Sequence, residues 1–190
     1  MVVRSVVCFV LVLCAWGTAR EALSQTRGRS SKRPRDVASF RKQYAELHEK
    51  YANSLLELAK VCEEKGLADA AAQVRAYAEP VDTTELRLLP LPREVAPSIK
   101  PDADPDERYW RSQLKNRQQD YAKDLYALSR KALQNDHVSF ALDLVREIPL
   151  HDGDHIAARR ILGFVRSGDE WISAFEKEMR RQKKVWTDEF

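Results

Sequence analysis

Between Asp36 and Lys65 the apolar and aromatic residues fall at Val37, Phe40, Tyr44, Leu47, Tyr51, Leu55, Leu58 and Cys62. Every step is three or four residues. That spacing draws one stripe along a helix and predicts that this face packs on another helix. Asp36 follows Pro34 and is placed to cap the start, and Gly66 supplies the left-handed position after the end. A shorter helix is predicted over Ala68–Ala78, with Ala70, Ala71, Val74 and Ala78 inward. Small alanines let two helices approach closely, so residues 36–79 read as one αα-hairpin.

The pattern breaks over residues 80–104, which contain Pro80, Pro90, Pro92, Pro97 and Pro101. Proline at this density excludes a continued helix and disfavours a central strand. An extended connector is expected, anchored by Leu86, Leu88, Leu89, Leu91, Val95 and Ile99 and lying partly against the helices. Asp102, Asp104 and Asp106 are not a calcium loop, because Glu107 stands where that loop needs glycine and Gln113 where it needs glutamate. Asp104-Pro105-Asp106-Glu107 is instead a helix start. A second long helix is predicted from Pro105 to about Gln134, with Trp110, Leu114, Tyr121, Leu125, Leu128 and Ala132 inward. After a turn at Asn135-Asp136 comes a short helix carrying Phe140, Ala141, Leu144, Val145 and Ile148, closed by Pro149.

The two hairpins match without a gap at an offset of 70 residues. Tyr51 falls on Tyr121, Ala52 on Ala122, Leu55 on Leu125, Leu58 on Leu128, Cys62 on Ala132, Ala71 on Ala141 and Val74 on Leu144. These are mainly inward positions, which points to repeated architecture. Beyond them, Asp154 is expected to cap a third helix from His155 to about Arg166, with Ile156, Ala158, Ile161, Leu162 and Val165 inward and Gly168 as its stop. Ser173 and Glu176 predict a capping box for a last helix, Ala174 to about Lys184. Hairpin 2 and these closing helices occupy residues 105–190. The resulting expectation is an all-α fold of antiparallel helical hairpins with a Pro-rich connector.

Charge and cysteine usage add the compartment. Arg4, the apolar run Val6–Trp16 and the small residues Gly17-Thr18-Ala19 read as a secretory signal peptide over 1–19. The run is shorter than the ~20 residues that span a bilayer. Cys14 admits a second reading, a lipidated residue, although Leu13 stands where a small residue is expected before it. The mature chain then holds one cysteine, Cys62, on an apolar helix face, so no internal disulfide forms within it and stability comes from packing. Residues 20–35 read as a disordered basic arm, whose Arg27, Arg29, Lys32, Arg33 and Arg35 could touch a polyanion. No aromatic is interleaved to stack on bases, which disfavours nucleic acid.

Leu58-Ala59, Cys62, Ala71 and Ala78, then Leu128-Ser129, Ala132, Ala141 and Pro149, then Leu162-Gly163, sit near the positions of a tetratricopeptide repeat. The chain is similar to that repeat type, which implies a partial superhelix. The first helices are too long for a 34-residue repeat. A second resemblance covers about Arg108–Phe190. Asp154-His155, Ala158–Val165, Gly168-Asp169-Glu170-Trp171 and Val185-Trp186 resemble a helical module of exported bacterial proteins of poorly known function. In some of these the module precedes a metallopeptidase-like domain, which implies that a chain stopping at Phe190 is a truncated or short form. No His-Glu-x-x-His occurs, so no peptidase zinc site is carried over.

Candidate chemistry is sparse. His151 and His155 are four apart with Asp152 and Asp154 between them, a spacing that on one helix can hold a metal. Gly153 and the expected cap at Asp154 break that helix, and no third ligand is evident, so an interhelix turn is the expected role. No cofactor motif is present: there is no Gly-rich phosphate loop and no nucleophile elbow. Trp171 reads as a packing wedge against the third helix or as an exposed anchor for a partner. Arg159 and Arg160 read as a solvated face, and Trp171, Trp186 and Arg159 are the candidates for partner contact. The expected function is non-catalytic: an exported helical-repeat scaffold that binds another exported or envelope protein or peptide. The alternatives are the accessory region of an exported hydrolase, and a polyanion binder acting through the basic arm and the Lys177, Arg180, Arg181, Lys183 and Lys184 face.

Overall fold

The computed structural model describes residues 36–81, 90–95, 99 and 102–184. The expected signal peptide, the basic arm, part of the connector and Trp186 lie outside the described residues. In chain order the elements are α1 (Val37–Glu64), α2 (Ala68–Ala76), α3 (Pro105–Leu133), α4 (Val138–His151), α5 (Ile156–Ile161), β1 (Phe164–Ser167), β2 (Glu170–Ser173) and α6 (Ala174–Arg181). The described residues are thus mostly helical, with one small two-stranded sheet that the all-α expectation did not contain. No helix among them is long and apolar enough to cross a membrane.

The two hairpins repeat in detail. Asp36 and Asp104 cap α1 and α3 by accepting the backbone N–H two residues on. Gly66 and Asp136, one offset apart, both take positive φ, 75° and 64°. Leu67 and His137 follow with φ −91° and ψ 64°, and φ −92° and ψ 61°. Each donates its N–H back to the equivalent carbonyl, Cys62 or Ala132. A left-handed residue after the last turn satisfies the orphaned carbonyls of the long helix, so the same turn chemistry sends the chain back twice.

The long helices run antiparallel. Lys65, just past the end of α1, pairs with Asp106 at the start of α3. Tyr51 stacks on Tyr121 at mid-length, with ring centroids 4.1 Å apart and planes 1° apart. Phe40, near the start of α1, meets His137 beyond the end of α3. The stacked tyrosines are equivalent positions, so they mark a local twofold between the hairpins. A solenoid repeats by translation and would run equivalent helices the same way.

One core joins both hairpins. Phe40, Leu55, Ala59, Ala71, Val74, Ala122, Leu125, Ala132 and Ile148 are all fully excluded from solvent. Cys62 belongs to the same core, and burial pushes its thiol above the ordinary value. Pro149 lies inside α4 rather than closing it: the helix continues two residues to His151, with Pro149 buried.

The closing region departs most from expectation. α5 ends at Ile161, and Gly163 (φ 83°) turns the chain out of the helix. Gly168 (φ 61°) stops no helix but sits in the tight turn of the β1–β2 hairpin, which pairs Phe164 with Ser173 and Ser167 with Glu170. Ile156 and Ile161, expected inward, are 57% and 53% exposed. The cap of α5 is His155, whose Nδ1 accepts from the Ala158 N–H, and Asp154 instead accepts from the Trp171 indole. The connector contributes an edge: Arg93 and Val95 bond across to β2 and its turn, and a bridge sets Glu94 opposite Glu170. Proline-flanked backbone is tolerated at an edge, where one side of the strand needs no partner. Ser173 caps α6 by accepting from the Glu176 N–H, the first half of the expected capping box, while the Glu176 carboxylate pairs with Arg93 and Arg180 instead of returning to Ser173.

Candidate functional site

Every third or fourth inward residue of α4 is apolar until position 147. There the stripe carries Glu147, and one turn later His151. The inward geometry of the helix forces both side chains into the junction with α1 and α3. Glu147 is 1% exposed, and three groups from three helices meet its carboxylate. Tyr44 of α1 donates its hydroxyl to Oε2 at 3.0 Å, and Tyr121 of α3 donates to Oε1 at 2.9 Å. His151 Nε2 stands 3.5 Å from Oε1, an electrostatic contact longer than a well-formed hydrogen bond. His151 Nδ1 is 3.3 Å from the Tyr51 hydroxyl, and the imidazole edges onto both stacked tyrosines.

A buried carboxylate is tolerated only when hydrogen bonded, and each hydroxyl here contributes about 1.5–3 kcal/mol relative to a lost bond. The network acts back on its donors. Burial first, then the Glu147 charge and its hydrogen bond, push the phenols of Tyr44 and Tyr121 well above the ordinary tyrosine range. Burial, with Tyr77 and Glu147 adding to it, does the same to Tyr51. These phenols are held in their neutral, donating form, which suits anchoring a carboxylate rather than acting as bases.

Two clefts border the network. One of about 270 Å³ is lined by Arg41, Tyr44, Phe140, Asp143, Leu144 and Glu147. Another of about 220 Å³ has Tyr51 and Tyr121 in its wall beside Lys50 and Arg117. A broader hollow of about 490 Å³ runs along the polar face of α1 between Glu46 and Glu57, and it touches none of the buried groups.

The residues singled out in the sequence fall in two places. His151 joins the Glu147 network, while His155 caps α5 and tilts against Tyr126. Among the described residues no group of three metal-ligating side chains forms around either. Trp171 is 2% exposed and wedges under the closing hairpin, its indole N–H on Asp154 Oδ1 at 3.0 Å and its backbone N–H on the Arg93 carbonyl at 2.7 Å.

Arg159, expected on a solvated face, is fully buried. Its guanidinium lies over the rings of Phe164 and Trp171, and its Nε donates to the Gly153 carbonyl at 2.8 Å. Burial pulls this guanidinium below its ordinary value, and the nearby Asp154 and Asp152 oppose that shift. The reversal follows from the shortened α5: ending the helix at Ile161 folds the β-hairpin over the Arg159 face. On α6, Arg180 pairs with Glu170 and Glu176, and Arg181 with Glu178, so part of the expected basic face is neutralised within the molecule.

Sequence reading missed Glu147, Tyr44 and Tyr121 as a constellation. The available signal was a lone carboxylate on the apolar stripe of α4. No protein-family model matches the chain, and neither a curated protein nor a solved structure does.

Proposed function

We propose that the protein is a non-catalytic, exported scaffold of helical hairpins that binds another exported or envelope protein or peptide. The observation that carries this reading is the outward face of hairpin 2. Val138 and Leu142, one turn apart on α4, are 60% and 45% exposed, and Leu133 at the end of α3 is 50% exposed. The equivalent positions of hairpin 1 are Ala68, Ala72 and Glu63. The same architecture therefore presents an apolar stripe on one half and a small, polar surface on the other. Such a stripe is the kind of surface that a partner covers. The neutral, bond-donating tyrosines around Glu147 support a structural junction rather than a reacting centre. Kinship with tetratricopeptide-type hairpins remains part of this proposal, at the level of the hairpin.

A photo-crosslinker at Leu142, compared with one at Ala72, tests it in the native envelope. Adducts to one defined protein from position 142 alone are expected. Equal or absent labelling from both positions removes the support for this reading.

A further inference from the structure

The local twofold allows each side of the molecule to serve as a control for the other. The cleft lined by Arg41, Tyr44, Phe140, Asp143, Leu144 and Glu147 maps onto Arg111, Leu114, Ala70, Gln73, Val74 and Tyr77. Arginine and the aliphatic position are kept. Two aromatic walls and two carboxylates appear on one side only.

At its floor Glu147 is buried, and its hydroxyl partners carry no charge. Among the described residues its one basic neighbour within 4 Å is His151. Arg41 stands exposed on the rim and makes no ion pair with it. With Asp143 one turn before Glu147, the lining holds two carboxylates and one guanidinium. At about 270 Å³ the cleft falls below the ~300–1,000 Å³ of small-molecule sites. It has room for one long side chain.

We propose that this cleft receives a lysine side chain of a partner polypeptide, with its stem between Tyr44 and Phe140 and its ammonium toward Glu147 and Asp143. Charge complementarity selects a cation, and the aromatic walls suit an alkyl stem carrying one. Lysine is favoured over arginine by the state of the acceptor. Glu147 Oε1 is faced by both the Tyr121 hydroxyl and His151 Nε2, whereas Oε2 meets the Tyr44 hydroxyl alone, so a cation has one oxygen to approach, which suits a point charge better than a bidentate fork. This inference rests on the scaffold reading and names the partner group that the scaffold would hold.

The test titrates the isotope-labelled protein with Nα-acetyl-lysine methylamide and with its norleucine counterpart, followed by amide and side-chain chemical shifts. The lysine probe is expected to shift Tyr44, Phe140 and Asp143, and the norleucine probe is not. Glu147→Gln is expected to weaken the lysine probe about tenfold. Asp143→Asn, a second lining carboxylate one turn from Glu147, is expected to weaken it about threefold, so the inference stays testable if the buried variant does not fold. Equal response to both probes, or insensitivity to Asp143→Asn, overturns it. Binding of n-butylamine as tight as that of the lysine probe also overturns it, since the cleft would then serve a free amine. Defined adducts from position 142 together with a silent cleft would sink the lysine assignment and leave the scaffold reading standing.

Discussion

Hairpins 1 and 2 share a cap, a turn and a set of buried positions, yet only hairpin 2 brings a carboxylate into the core. The difference begins with helix length. α2 has 9 residues and ends at Ala76, whereas α4 has 14 and runs on to His151. Tyr77, the counterpart of Glu147, is therefore a cap residue left 43% exposed. The five added residues carry Glu147 and His151 against α1, where Tyr44 replaces what would be another leucine. A shared scaffold thus fixes the aliphatic positions, and a short extension of one helix is enough to install a polar centre.

The sharpest way to break this comparison is to remove the carboxylate. Glu147→Ala strands two tyrosine hydroxyls in the core and is expected to cost about 3–5 kcal/mol in urea unfolding. Tyr77→Ala, at the matched position, is expected to cost less than about half as much. Similar losses at both sites would dissolve the distinction. Next, Leu55→Ala and Leu125→Ala probe what the halves share. Both side chains are fully buried, so each loss is expected near 2–5 kcal/mol and the two to agree within about 1 kcal/mol.

Alkaline pH reads the tyrosines. The phenols of Tyr44, Tyr51 and Tyr121 are raised in the fold. Their stabilisation is complete below the ordinary value near 10, and it is lost as pH rises from there toward the raised values, because the unfolded chain ionises first. Thermal midpoints should fall as pH rises from about 10 upward, and less steeply in Tyr44→Phe; a flat profile in the wild type contradicts the burial argument.

The smallest effect concerns the turns. Gly66→Ala meets no atom within 4 Å, so it should lose only about 1 kcal/mol to its positive φ, while Asp136→Gly should gain up to about that amount. A gain in the first or a loss in the second would show that the turns are not equivalent.

Most of the helical body was legible because its stripes are local. Phe40 to Cys62 and Trp110 to Ala132 need no knowledge of what they touch. The closing region was misread for a physical reason: Ile156, Ile161, Leu162 and Val165 fall at near-helical spacing although the chain leaves the helix at Gly163. Val165 and Ile172 pair across a hairpin, and a period of two is invisible in four-residue strands. Arg159 looked solvated because charge on a short helix usually is, and only the hairpin folded over it reveals otherwise. Glu147 stood on the page as a polar residue at an inward position, but its partner Tyr44 comes from another hairpin, and no local pattern announces that contact.

That distance has a kinetic meaning. Glu147 bonds to Tyr121, 26 positions away within its own hairpin, and to Tyr44, 103 positions away. Loop-closure entropy delays the longer connection, so hairpin 2 is expected to enclose half of its carboxylate before the first helix arrives to complete it. The bond from Tyr44 then acts as a latch set after the folding barrier, and weakening it would hasten opening far more than it slows assembly.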